Sequence, residues 1–128
     1  MNLTQEQIQK YIDFNDMDNS LQSYQITLVG NTPQTITTRF QDGRVFTLFI
    51  HYNTILENWF LDLYLQDING DLQPQVLGLM IEWGLNLFAQ YRYLNIGEFY
   101  VYSKNPNLYD APTYNDLAVN FYYIWRHS

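Results

Sequence analysis

The sequence predicts an all-β fold: a small antiparallel β-barrel or sandwich with a short N-terminal helix. Aromatic residues make up 18% of the 128 residues and charged residues only 15%, and aromatic side chains suit the pleated, half-buried surface of a strand. Apolar residues recur with period two in several segments, which places them on one face of a strand. Between those segments stand Asp42-Gly43 and Asn69-Gly70, dipeptides that reverse a chain because Gly and Asn accept positive φ cheaply. The chain reads as a single β domain over 21–128 with a helical appendage and loop over 1–20. A chain of this size buries roughly two-thirds of its unfolded surface, so it needs no covalent staple.

The N-terminal helix is expected from Thr4 as a cap, Gln7 at capping-box spacing, and Ile8, Tyr11 and Ile12 at i, i+3, i+4. It should stop near Phe14, before the polar loop Asn15 to Ser20. Leu21 to Val29 alternates at Tyr24, Ile26 and Leu28, and Gly30 to Pro33 is a turn. Gln34 to Gln41 is a Thr- and Ile-rich strand ending at Asp42-Gly43, a two-residue hairpin signal. Arg44 to Tyr52 is apolar on both faces, which predicts a central strand covered on both sides. The next strand sets Trp59, Leu61, Leu63 and Leu65 on one face and Phe60, Asp62, Tyr64 and Gln66 on the other. It reverses at Asn69-Gly70, and its partner ends near Gly78. A turn is expected around Gly84 and Asn86. Glu98 to Ser103 is a strand, Lys104 to Asn107 a turn, and Leu108 to Asn115 a loop interrupted by Pro112. Asp116 to Arg126 closes the chain as an edge strand, with Leu117, Val119, Phe121, Tyr123 and Trp125 on one face and Tyr122 and Ile124 on the other. Such an edge is a pairing hazard unless covered.

Composition excludes several function classes. Cysteine is absent, so disulfides, thiol chemistry and Cys-based zinc sites are impossible, in keeping with a reducing compartment. The net charge is −7, and Lys10, Arg39, Arg44, Arg92, Lys104 and Arg126 form no basic stripe. Direct nucleic-acid recognition by phosphate neutralisation is therefore not expected. The acidity serves solubility, or forms a negative wall that repels DNA or steers a basic partner. The polar N-terminus lacks the apolar core of a secretion signal, and no stretch of about 18 apolar residues could span a membrane as a helix.

No catalytic or cofactor-binding constellation is legible. Asp67, Asn69 and Asp71 have the spacing of the first EF-hand ligands, but Leu72 replaces the required Gly and Gly78 the required Glu, so a hairpin turn accounts for them. His51 lies in a strand and His127 in a tail expected to fray, and no local spacing makes them metal ligands. There is no nucleophile elbow, and Gly84-Leu85-Asn86 lacks the other glycines and the Lys of a phosphate loop. Trp83 either packs into the barrel end or stands exposed as an anchor for a partner or a sugar ring, and Tyr91, Tyr93 and Tyr109 carry the same ambiguity.

The run Trp59-x-Leu61-Asp62-Leu63, then Asp67-x-Asn69-Gly70, Gly78, Gly84-x-Asn86-Leu87 with Gln90-Tyr91, Tyr93-Leu94-x-x-Gly97 and Tyr114-Asn115-Asp116-Leu117 resembles the baseplate plug proteins of contractile-tailed phages, typified by a cyanophage baseplate plug. The resemblance covers roughly residues 40 to 125. Ala118 departs from it, because the family tends to have Gly after Asp-Leu, and the helix of residues 4–14 looks like an addition. The resemblance implies a structural, non-enzymatic subunit of the virion's tail baseplate, assembled in the host bacterial cytoplasm. It would pack in several copies at the junction of hub and tail tube, with hub and tube proteins as partners. Under it the expected interface residues are Trp83, Tyr91, Tyr93, Tyr122, Ile124 and Trp125, and Trp125 should matter more for assembly than for the fold. The alternative is a carbohydrate-binding β-module, which needs a platform of surface Tyr and Trp flanked by unpaired Asn and Asp side chains. An enzyme or lipocalin-like carrier would need a pocket with converging polar groups, to which nothing in the sequence points.

Overall fold

The computed structural model describes residues 21–104 and 111–127. The expected helix at 4–14, the loop Asn15 to Ser20, Tyr109 and all of the expected turn Lys104 to Asn107 but its first residue lie outside them. The strands are β1 (Gln22–Ile26), β2 (Gln34–Arg39), β3 (Val45–Asn53), β4 (Asn58–Gln66), β5 (Leu72–Met80), β6 (Glu98–Ser103) and β7 (Phe121–His127), with a 3-10 helix at Ala89–Leu94 before β6. They form two antiparallel sheets, β1-β7-β6 and β2-β3-β4-β5. The sheets do not close on one another, so the sandwich alternative holds and the barrel does not.

Period two decides what each sheet buries. Phe46, Leu48 and Ile50 of β3 and Trp59, Leu61 and Leu63 of β4 are all within 1% of complete burial. They share one core with Phe99 and Val101 of β6 and Phe121, Tyr123 and Trp125 of β7. Trp125 is the main bridge between the sheets. Its ring meets Phe99 of its own sheet at 6.1 Å and, edge-on, Phe40 at 5.3 Å and Phe46 at 6.1 Å from the other. Edge-to-face contacts suit the ring quadrupoles and add to the gain from area burial.

Several expectations are corrected. The closing strand begins at Phe121; Leu117 and Val119 belong to the turns before it. It is the central strand of its sheet, hydrogen-bonded to β1 and β6 on its two sides, so it offers no free edge. Strand β3 is central as expected, but only one of its faces is closed: Val45, Phe49 and His51 on the other face are half-buried. Strand β5 does not stop at Gly78. It runs on to Met80 with register shifts against β4, and Gly78 takes φ +67 inside it while donating its N–H to Asp62 Oδ1 at 2.6 Å. That is the bulge that only a glycine accommodates without strain.

The two hairpin signals build the same loop, and it has three residues between the closing pairs. Phe40 N–H bonds Arg44 O at 2.8 Å and Gly43 N–H bonds Phe40 O at 3.0 Å; Asp67 N–H bonds Asp71 O at 2.8 Å and Gly70 N–H bonds Asp67 O at 3.0 Å. Only the glycines, at φ +93 and +86, are left-handed; Asn69 is not. A turn followed by one left-handed residue matches the twist of the flanking strands. Finally, His127 does not fray. It stacks between Phe40 at 4.0 Å and Tyr24 at 4.3 Å, and so is clamped between the two sheets.

Candidate interaction site

The expected interface residues separate into three environments. Trp125 and Ile124 are fully buried and present nothing to a partner. Trp125 is an inter-sheet core residue whose indole N–H donates to Ile96 O at 2.8 Å. Ile124 lies on the other face of β7, between Gln25 and Tyr100 of the flanking strands. The period-two reading placed both correctly on their faces but took the strand to be an edge, and that error made them look available.

Trp83 and Tyr122 are half-buried. Trp83 meets Tyr102 edge-on at 5.9 Å, and Tyr102 pairs with Tyr122 across β6 and β7. The segment holding Trp83 runs along the free edge of β6. Gly84 N–H donates to Val101 O and Leu87 N–H to Phe99 O, both at 2.9 Å, and Asn86 Oδ1 accepts Phe88 and Phe99 N–H groups at 3.1 Å. Gly84 (φ +75) and Asn86 are thus structural turn residues that cover an exposed edge. On the 3-10 helix Tyr91 packs against the core, whereas Tyr93 is 78% exposed.

Sequence reasoning missed two further surfaces. The outer face of β2-β3-β4-β5 carries Phe49, His51, Phe60 and Tyr64, all half-buried. Phe49 stacks with His51 at 5.2 Å, and His51 with Phe60 at 6.2 Å. His51 Nε2 lies 3.2 Å from Asp62 Oδ2 without hydrogen-bond geometry, while the other Asp62 oxygen holds the Gly78 bulge. The signal for this face was the apolar run on both sides of β3, read as double coverage. The second surface is the β3–β4 hairpin tip, where Ile55 and Leu56 are exposed. Asn53 Oδ1 accepts both of their N–H groups at 2.9 Å.

Two polar side chains that a sugar platform could use, Asn31 and Asp67, are occupied inside loops. Asn31 bonds Asn115 O at 2.6 Å and the Ala118 N–H at 2.9 Å. Asp67 accepts the Asn69 and Asp71 N–H groups and the Gln73 amide, each at 2.9 Å. Those hydrogen bonds, the Gln73 amide first, hold the Asp67 carboxyl below its usual range. Asp42 is lowered likewise, first by the Arg44 N–H and then by its guanidinium. Inside the core, burial pushes the Tyr123 phenol upward, with Asp116 adding to it, and the phenol donates to Leu117 O at 2.6 Å. Among the described residues no group of three or more His, Asp or Glu could hold a metal ion, and no helix is long and apolar enough to cross a membrane.

The model of the family described as the cyanophage Pam3 baseplate plug, gp18, matches residues 9–128, nearly the whole chain. No curated protein matches. The chain belongs to this baseplate plug family, and it is a structural subunit of a phage tail baseplate.

Proposed function

From its place among the baseplate plugs, we propose that this chain is a non-catalytic packing subunit at the junction of hub and tail tube, present in several copies and assembled in the host bacterial cytoplasm. Hub and tail-tube proteins are its partners, and neither nucleic acid nor membrane is contacted directly. The observation that carries this reading is the aromatic outer face of β2-β3-β4-β5, where Phe49, Phe60 and Tyr64 are half-exposed on a strongly braced sheet. Rigid rings give contact area at little cost in ordering entropy, and each apolar Å² removed from water contributes roughly 25 cal/mol. Repetition of one contact around a symmetric assembly lets modest patches add up. Tyr93, with Trp83, Tyr91 and Tyr122 near it in sequence or sheet, supplies further contact area; Ile124 and Trp125 have no part in it.

Co-expression with the hub and tube proteins of the same phage tests this reading. A stoichiometric complex with several copies per hub, located at the junction by electron cryomicroscopy, is the expected result. A monodisperse monomer with no affinity for either protein would refute it.

A further inference from the structure

Three loops converge at the end of the sandwich where β3 passes into β4. Tyr114 meets Tyr52 edge-on at 5.0 Å and stacks on Trp59 at 6.1 Å, and the Trp59 indole N–H donates to Thr113 O at 2.8 Å. This fixes the segment 113–119 beside the hairpin tip 54–57. The Asn31 side chain ties the turn 29–33 to the same segment through Asn115 and Ala118. Five large apolar side chains nevertheless face water there: Val29, Ile55, Leu56, Tyr114 and Val119, with Ile55 90% exposed. Surface apolar residues are ordinary when scattered, but a group of them on loops bound together is a contact surface.

Glu57 adds an independent observation. It holds φ +54, a left-handed conformation that glycine or asparagine would adopt at less cost. Among the described residues its carboxylate makes no hydrogen bond and no ion pair, so nothing within the fold offsets that cost. The three loops carry two carboxylates, Glu57 and Asp116, and no Lys or Arg. Asp116 is turned inward onto the Thr113 N–H, and the Lys104 ammonium lies over the Tyr122 ring. Arg44 belongs to the opposite end, where it bonds the carbonyls of Leu94 and Asn95. Among the described residues, these loops thus expose five large apolar side chains and one carboxylate, Glu57, with no ion-pair partner.

Building on the packing role proposed above, we propose that this end is a docking surface of the plug. Ile55 and Leu56 enter an apolar recess of a different baseplate protein, and Glu57 meets a Lys or Arg on its rim. Because hydrogen bonds and ring stacking already order the loops, little conformational freedom is lost on docking.

The test uses the full chain co-expressed with the hub and tube proteins of the same phage. The double variant Ile55→Asp/Leu56→Asp should keep the wild-type melting temperature yet bind roughly tenfold more weakly or worse, as for a buried anchor. Ile68→Asp, a control on the exposed hairpin tip at the opposite end, should bind as wild type. Glu57→Lys should weaken the complex more than Glu57→Gln, and added salt should weaken the wild-type complex. As the chain has no cysteine, a dye on Ile55→Cys reports on the tip alone, and its emission should shift on complex formation. If the wild-type complex forms but tolerates the aspartates and leaves the dye unchanged, the docking surface is wrong while the packing role stands. If the wild-type chain binds neither protein, the packing role itself has failed. Dimerisation of the isolated chain through Ile55 would overturn the choice of a different protein as occupant.

Discussion

At the scale of single residues, the sharpest constraint is Gly97. It takes φ +85, and a Cβ there would overlap the Arg126 carbonyl oxygen of the adjacent strand. Backbone on backbone cannot give way as a flexible side chain could. Gly97→Ala therefore combines left-handed strain with overpacking and should cost about 3–4 kcal/mol, read as a lower midpoint in urea unfolding. Gly43 has a similar φ of +93 but open space around its Cβ position, so alanine there should cost only the conformational part, about 1 kcal/mol. Sequence alone could not separate the two, because both read simply as glycine beside a strand. What separates them is the close approach of β7 to the segment before β6. The same reasoning applies to Trp125. Its place on the apolar face of a strand was legible, whereas its burial comes from the opposing sheet, through Phe40 and Phe46, and which sheet packs on which is not written in local spacing.

At the scale of elements, the two short hairpins were legible from Asp-Gly and Asn-Gly, but their loop length was not. That length is set by the Asp side chains. Asp67 binds the N–H groups of Asn69 and Asp71, and Asp42 binds that of Arg44. Both carboxyls have lowered pKa values in the folded chain. A group whose folded pKa lies below its unfolded value stabilises the fold above the unfolded pKa, and that support fades as the pH falls through the folded pKa. The hairpin tips should thus be tight at neutral pH and loosen first under acid conditions, below about pH 4. Amide exchange at Asn69, Asp71 and Arg44 should accelerate there before the core strands respond; simultaneous loss would show that the braces do not act locally. The β3–β4 tip follows a different rule. It is held by Asn53 and closes through left-handed Glu57, so Glu57→Gly should raise stability by about 0.5–1 kcal/mol in thermal melting, even as it removes the charge proposed to meet a partner.

At the scale of the whole molecule, two buried tryptophans secure opposite ends of the sandwich. Trp59 of β4 binds Thr113 O at the end bearing Tyr114 and the exposed apolar loops. Trp125 of β7 binds Ile96 O at the end holding Phe40 and His127. Each indole thus fastens an irregular segment to a strand of the core. A buried indole N–H needs an acceptor, and a loop carbonyl at the margin of the core needs a donor, so each bond satisfies both. Phenylalanine retains much of the ring but not the donor. Trp59→Phe should cost about 1–2 kcal/mol and speed hydrogen exchange across 113–119 while leaving 95–97 protected. Trp125→Phe should do the reverse and cost more, because Trp125 also carries the ring contacts between the sheets. As the two bonds share no partner, the double variant should be additive to within about 0.5 kcal/mol. A larger coupling in denaturant unfolding would mean that the ends are not held independently. Docking at the Trp59 end would then alter the far end as well, and the loops near Ile96 should change their exchange rates when the plug enters its complex.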